Sequence, residues 1–173
     1  EVDDCQGLPG MDIVGLPDKA VQESRNRVGA ALKNAGLYLP RKRLVVNLAP
    51  ASVRKEGPAY DLPIALGVMI HNGDLDPGQV ESTLVIGELS LDGLVRHTRG
   101  VLPMAALARS QGFHRIVVPH VDAAEAALVP GLEVVPVKNL TQLYQILTGR
   151  LNAEVPPAHQ LSEVEVVVQT DFR

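Results

Sequence analysis

Hydrophobic and polar positions in the first fifty residues predict a strand, a helix and a second strand. Residues 11–14, Met-Asp-Ile-Val, lie between two glycines and are typical of a short strand. Apolar residues from 21 to 35 then recur at helical spacing, with Asp18 as the predicted N-cap and Gly36 as the predicted stop. Residues 44–48, Leu-Val-Val-Asn-Leu, form a run that is consistent with a buried strand.

A loop and a buried helix are predicted next. Residues 50–60 show neither helical nor strand periodicity and therefore predict a loop. Residues 64–70 are apolar on all sides, which is typical of a helix enclosed by the core. Asp61 is the predicted N-cap of this helix, and Pro63 is tolerated in its first turn.

The second half of the chain predicts a hairpin followed by alternating helices and strands. Residues 83–89 and 94–97 form the arms of the hairpin, joined through the turn-favouring pair Asp92-Gly93. The other elements are a helix at 101–109, a strand at 115–118, a helix at 121–128, a strand at 132–137 and a helix from its cap Asn139 to about 148. A hairpin combined with alternating elements indicates an α+β domain.

The domain is predicted to cover residues 1–150. After Gly149 the chain changes character, with Pro156-Pro157 and then a Glu/Val-rich end. Residues 151–173 are therefore predicted to be a linker.

Composition narrows the class of protein. Apolar residues make up 46% of the 173 residues, as in a globular domain, whereas aromatic residues are only 3%. Few aromatic side chains argue against a surface that holds single strands by base stacking. Cys5 is the single cysteine, so an internal disulfide is excluded and a reducing compartment is expected. No apolar run approaches the ~18 residues of a membrane span, and the acidic start is unlike a signal peptide, so we expect a cytoplasmic location without a membrane partner.

The net charge of −4 conceals a basic segment. Residues 19–55 carry nine basic residues against Glu23 alone. Such a segment in an acidic protein indicates either a contact with nucleic acid or an acidic partner, or a solvated helix followed by a basic turn.

Three segments carry a resemblance to a known family. The first, residues 7–18, reads GLPGMDIVGLPD; the second, within residues 47–65, contains NLAPA, RKEG and DLPIA; the third, within residues 87–103, contains GELSLDG and RGVLP. In order and spacing they resemble the N-terminal domain of Mg-chelatase-like AAA+ ATPases, the group of the competence protein ComM and YifB. The resemblance covers residues 6 to 150.

The resemblance implies the fold of ribosomal protein S5 domain 2, which is also that of the Lon protease domain. It implies an AAA+ module after the linker, since Asp171-Phe172 is similar to the start of that module, and it places ATP and Mg²⁺ there, with no cofactor in this part. A homo-hexamer and DNA are the implied partners, and branch migration of DNA in natural transformation is the implied process. The family pattern also has about one strand before residue 1.

The resemblance also locates the two catalytic positions of a Lon-type protease. Its nucleophilic serine corresponds to Ala59, and its lysine falls near Leu102. Such a serine needs a lysine to deprotonate it, so a non-catalytic domain is expected. Ser52 and Lys55 have Ser-x-x-Lys spacing, but a loop serine and a solvated lysine are the simpler interpretation.

Other chemistries find little support in the sequence. The chain has no Gly-Lys pair and hence no P-loop for ATP. The five histidines are scattered without a metal-ligand spacing, so no metal site is predicted.

The predicted contacts with DNA or a partner lie in the basic segment. Arg41, Lys42 and Arg43, with Arg25 and Lys33, form the preferred DNA-facing set. The loop residues Arg54 and Lys55 are further candidates, although they could instead pair internally with Glu56 and Asp61. The predicted function is a non-catalytic accessory domain that assists assembly or guides DNA. The alternatives are a degenerate Lon-like serine hydrolase and the Lon-like domain of the recombination protein RadA.

Overall fold

A computed structural model describes residues 1–156 of the chain. Its first sheet has three strands, β1 (Val2–Cys5), β2 (Gly10–Val14) and β3 (Arg43–Asn47), in the order β1-β3-β2. β2 runs parallel to β3, and β1 runs antiparallel to it. The sequence analysis missed β1, because Val-Asp-Asp-Cys has no apolar alternation and becomes a strand only by pairing with β3.

Two helices pack on this sheet and on each other, α1 (Lys19–Asn34) and α2 (Asp61–His71). The predicted cap of α1 is confirmed, since the Asp18 carboxylate accepts a hydrogen bond of 2.8 Å from the Val21 amide. Gly36 has a φ of 71°, which suits a glycine beyond a helix end. The predicted cap of α2 is wrong: Tyr60 occupies the N-cap position, and the Asp61 side chain is buried and engaged elsewhere.

The second sheet is parallel and contains β4 (Thr83–Val85), β7 (Arg115–Pro119) and β8 (Glu133–Val137) in the order β4-β7-β8. A separate hairpin joins β5 (Glu88–Leu89) to β6 (Val95–Arg96).

The predicted single strand at 83–89 is therefore wrong, because it breaks between β4 and β5. Gly87 lies at the break, where its amide donates to the Ala59 carbonyl at 3.0 Å and its carbonyl accepts from the Leu62 amide at 3.0 Å. A Cβ at this position would come within 2.9 Å of the Val95 side chain. The chain turns at the one residue that allows this close approach.

The remaining helices are α3 (Val101–Ser110), α4 (Ala123–Ala126) and α5 (Leu140–Leu147). The prediction of α3 is confirmed, as is the capping of α5, where Asn139 accepts from the Gln142 amide at 2.7 Å. The helix predicted at 121–128 is shorter, because a 3-10 turn at His120–Asp122 precedes α4.

The second sheet divides the core into two parts. Val117, Val135 and Val137 face a cluster with α1, α2 and α5, whereas Ile116 and Val118 face a cluster with α3 and α4. Successive residues of a strand point to opposite faces, so β7 and β8 are buried on both sides. The predicted α+β class is confirmed.

The last described residues lie against the domain. The Glu154 carboxylate is 3.1 Å from His120 Nε2 and 3.3 Å from Lys138 Nζ. Most of the linker predicted at 151–173 lies outside the described residues. Within residues 1–156, none of the helices has the length and apolar character needed to cross a membrane.

Candidate functional site

An apolar groove of about 990 Å³ runs along β4, between α2 and α3. We call it the β4 groove. Its walls come from α2 (Leu66, Ile70), from β4 itself and from α3 (Met104, Leu107). This volume is at the upper end of ordinary ligand sites.

The β4 groove contains Ala59, the residue that the resemblance assigns to the position of a Lon-type nucleophile. Ala59 lines the groove from a 3-10 turn (Pro58–Tyr60), and Leu102 lies at the start of α3. The Leu102 side chain is 38% exposed, and its amide donates to Glu125 Oε1 at 2.9 Å. At the two positions that the resemblance assigns to the hydroxyl and the amine of that chemistry, this chain has a methyl group and an isobutyl group.

Three polar residues stand at the rim of the β4 groove: His97, Thr98 and Arg99. His97 Nδ1 lies 2.5 Å from the buried Asp122 carboxylate, which also accepts from the Thr98 amide at 2.9 Å. The Thr98 hydroxyl is buried and has no hydrogen-bond partner among the described residues. An unpaired buried hydroxyl is unfavourable and marks a position that a ligand could satisfy. The sequence analysis missed this cluster, because Asp122 and His97 are 25 residues apart.

A buried ion pair joins α1 to α2. Asp61 is fully buried and accepts from Arg27 Nε at 2.6 Å and from Ser24 Oγ at 2.5 Å. The Asp61 carboxylate also accepts a hydrogen bond of 3.0 Å from the Leu89 amide. This bond attaches the β5–β6 hairpin to the start of α2. The hydrogen bond that Arg27 donates to Asp61 raises the pKa of Arg27 above its ordinary value. This network is structural and positions α2, whose N-terminal end borders the β4 groove.

Lys55 is also structural, and the prediction of a solvated lysine is wrong. Its side chain is buried, with 3% of the residue exposed, and its amine donates to the carbonyls of Gly15 (2.8 Å) and Pro50. Ser52 is exposed. Within residues 1–156, no serine hydroxyl is hydrogen-bonded to a lysine amine. Lys55 therefore leaves the set of candidate phosphate contacts.

Two of the predicted DNA contacts converge on a second groove. Arg25 of α1 and Arg43 of β3 both line this cavity, whose volume is about 560 Å³. We call it the basic groove. Lys33 lies two helical turns after Arg25 on the same side of α1, and Arg41 is exposed immediately before β3.

Several of the basic residues have acidic partners on the surface. Lys42 Nζ lies 2.6 Å from Asp4, Arg43 Nη2 lies 2.6 Å from Asp12, and Arg54 lies 3.2 Å from Glu56. These hydrogen bonds raise the pKa of Lys42 and the pKa of Arg43. Arg25, Lys33 and Arg41 have no carboxylate within 4.0 Å in the described part of the chain. The structure thus separates paired cations from free ones.

A small cluster of possible metal ligands lies at Asp3, Asp4 and His71. Lys42 already donates a hydrogen bond to Asp4. This hydrogen bond lowers the pKa of Asp4, and the charges of Lys42 and His71 lower it further. The ammonium group competes for the oxygens that a cation would use. The sequence analysis could not foresee this cluster, because β1 was not predicted.

The chain is similar to a known family and to several curated proteins. A family model described as subunit ChlI of Mg-chelatase matches residues 1–122. An uncharacterised protein of Mycobacterium tuberculosis is 41% identical over all of this chain and 36% of its own length. The competence protein ComM of Haemophilus influenzae is 39% identical over 87% of this chain and 29% of its own length. Lon protease 2 of Bacillus subtilis is 26% identical over 88% of this chain and 28% of its own length.

The chain spans about a third of the length of the curated relatives that it matches. The similarity to Lon protease 2 agrees with the predicted Lon-like fold. The similarity to ComM agrees with the resemblance noted in the sequence.

Proposed function

Because the chain belongs to the Mg-chelatase-like family of AAA+ ATPases, we propose that it is a non-catalytic accessory domain of a longer ATPase that acts on DNA. The longer protein binds ATP and Mg²⁺ outside this chain and works as a hexamer. In a ComM-like role it carries out branch migration of DNA, and this domain guides the DNA or assists assembly.

The β4 groove supports a non-catalytic role. Its nucleophile position is Ala59, and the start of α3 offers Leu102 in place of an amine. The alternative pair fails as well, because both hydrogen bonds of the Lys55 amine go to backbone carbonyls.

The basic groove carries the proposal of DNA contact. Arg25 and Arg43 come from different elements and meet in one cavity, beside the exposed Arg41. A phosphate could replace Asp12 as the partner of Arg43, whereas Arg25 and Arg41 would gain a partner without losing one. Guanidinium groups bind phosphate through paired donors, which favours arginine at such a site.

The test is the binding of forked DNA by the 173-residue chain, measured by fluorescence anisotropy across salt concentrations. We expect the double variant Arg25→Glu/Arg41→Glu to lower affinity at least tenfold at low salt. Its slope of log affinity against log salt should become shallower by about 1 for each phosphate contact that is lost.

A charge-matched control separates site from net charge. The double variant Arg99→Glu/Arg150→Glu makes the same change in charge at exposed positions outside the basic groove, and its salt slope should match that of the unchanged chain. Equal slopes for the two double variants would refute contact at the basic groove.

The hydrolase alternative has a separate test. We expect no cleavage of unfolded casein and no labelling by a fluorophosphonate probe. Labelling that disappears in Ser52→Ala would contradict the non-catalytic role.

A further inference from the structure

The loop between β1 and β2 crosses the start of β3. Cys5, the last residue of β1, and Gly10, the first residue of β2, both pair with Arg43. Residues 6–9 therefore pass over β3 at its first residue. The crossing is close, since a Cβ at Gly7 would come within 3.1 Å of the Arg43 side chain. The loop thus forms one wall of the basic groove.

This loop exposes one large apolar side chain at the groove. Leu8 is 85% exposed and also lines the basic groove, so it contributes little to the core of the domain. The ring of Pro9, the next residue, fixes one backbone dihedral and reduces the freedom of the loop. Single exposed leucines are common on protein surfaces, so the surroundings of Leu8 have to decide its role.

The basic groove combines an aliphatic lining with positive charge. The lining comes from the β1–β2 loop, from β2 and from the connection before β3 (Leu8, Pro9, Met11, Leu39, Pro40). Arg25 and Arg43 carry the charge, and the pair with Arg43 at 2.6 Å neutralises Asp12. Asn26 adds a side-chain amide, which has both donors and an acceptor. A nucleotide matches this combination, because its phosphate suits the cations and its base has apolar faces and polar edges.

The size of the groove and the state of the base narrow the ligand further. The volume of about 560 Å³ lies within the range of sites for small molecules. A base inside a duplex is stacked and paired, and taking it out costs free energy. The first unpaired base at a junction has already lost its partner, so its transfer into the groove costs least. The groove therefore suits an unpaired base next to a duplex.

We propose that the basic groove holds the first unpaired base of a DNA junction, and that Leu8 packs between this base and the last base pair. This inference rests on the DNA contact proposed above and adds the DNA structure that the domain prefers. Leucine is among the apolar side chains that separate base steps in DNA-bending proteins. Arg25 and Arg41 then bind the neighbouring phosphates. None of the described residues that line the groove is aromatic, so binding depends on a junction to supply the unstacked base.

The fluorescence of 2-aminopurine tests the site. The probe replaces the first unpaired adenine of forked DNA, where stacking on the last base pair quenches it. The 173-residue chain is then added at low salt. We expect the fluorescence of this probe to rise about twofold, because the base leaves its stacked neighbour. The same probe within the duplex arm should keep its fluorescence.

A substitution at Leu8 separates the base from the phosphates. Leu8→Ser should lower the affinity for forked DNA by about tenfold, the low end of the effect of burying a leucine side chain. Its affinity for blunt duplex and its salt slope should stay unchanged, since the phosphate contacts remain. Because Leu8 is 85% exposed, its thermal denaturation should also match that of the unchanged chain. Leu91→Ser, at a 58% exposed leucine in the turn of the β5–β6 hairpin, is the matched control and should keep both affinities.

The outcomes separate this inference from the proposed function. Equal affinity of the unchanged chain for forked and duplex DNA, or an unchanged probe signal, would overturn the base site and leave the phosphate contacts of Arg25 and Arg41 intact. A Leu8→Ser chain that keeps its preference for forked DNA, or that loses affinity equally for both DNAs, would overturn it too. If the chain binds neither DNA at low salt, the proposed DNA contact is refuted, and the base site with it.

Discussion

The cations of the basic segment fall into two groups. Some are held in the interior of the protein by acceptors, whereas others are exposed at its surface. Arg27 and Lys55 are drawn into the structure, where Asp61 and two backbone carbonyls hold them. Arg25 and Arg41 remain exposed and have no carboxylate within 4.0 Å among residues 1–156. Formal charge along a sequence therefore overstates the charge that a partner can meet. The two groups should also differ sharply in what their removal costs.

The largest effect is expected at the buried ion pair. Asp61→Ala leaves the Arg27 guanidinium, the Ser24 hydroxyl and the Leu89 amide without their acceptor. We expect the free energy of unfolding to fall by about 3 to 5 kcal/mol, since breaking a buried pair strands a charge. Urea denaturation measures this loss. Glu23→Ala removes only an exposed partner of Arg27 at 3.9 Å and should change stability by less than about 0.5 kcal/mol.

A smaller but clear loss is expected at Lys55. Lys55→Met keeps the length of the side chain but leaves the carbonyls of Gly15 and Pro50 without their donor. The expected cost in urea denaturation is about 1 to 3 kcal/mol. Arg54→Met, next to it but with a side chain 70% exposed, is the matched control and should be close to neutral. A Lys55→Met chain as stable as that control would place the lysine among the surface cations.

The cap of α1 should contribute about 1 kcal/mol, which Asp18→Ala removes. Hydrogen bonds from the Val21 amide, and then from Gly57, hold the pKa of Asp18 below its ordinary value of 3.8. The stabilisation by the charged form is therefore complete above pH 3.8 and is lost as the pH falls below it. Asp18→Asn keeps a capping acceptor but does not titrate, so its unfolding free energy should depend less on pH in this acid range. Identical acid dependence in the two chains would contradict this assignment.

The smallest effect is expected at the surface pair of Lys42 and Asp4. Their side chains are 65% and 31% exposed. Lys42→Ala should lower the free energy of unfolding by no more than about 0.5 kcal/mol, and the difference should shrink as salt is added. Thermal denaturation at low and high salt measures it. A loss as large as that of Asp61→Ala would erase the distinction between interior and surface cations.

Local patterns predicted the elements whose signals are contained in neighbouring residues. The caps at Asp18 and Asn139 were predicted correctly, because a capping side chain bonds an amide only three residues away. Asp61 has the residue type of a cap and lies near a helix start, yet its partners Arg27 and Ser24 come from another helix. A rule that considers only neighbouring residues cannot detect that residues of a distant helix bind the side chain of a predicted cap.

In the two grooves as well, contacts between residues that are distant in the sequence could not be predicted. Ala59 and Leu102 could be assigned from the resemblance, whereas the cluster of His97, Thr98 and Asp122 could not. Hydrogen bonds between residues 25 apart leave no periodic signal in the sequence. Similarly, the basic segment was evident from its composition, but its pairing with Asp4 depended on β1, which the pattern did not reveal, and its pairing with Asp12 depended on β2 lying beside β3.

The sequence by itself determined the family and the α+β class, and it led to the hypothesis that Ala59 and Leu102 stand where a Lon-type protease has its hydroxyl and amine. These follow from residue identity and from periodicities over a few positions. Only the tertiary structure decided that Lys55 is interior, that Arg25 and Arg43 line one cavity, and that β4 lines an apolar groove between α2 and α3. The physical reason is that burial and ion pairing depend on which distant segments come within a few ångströms, and that is fixed by packing of the whole domain.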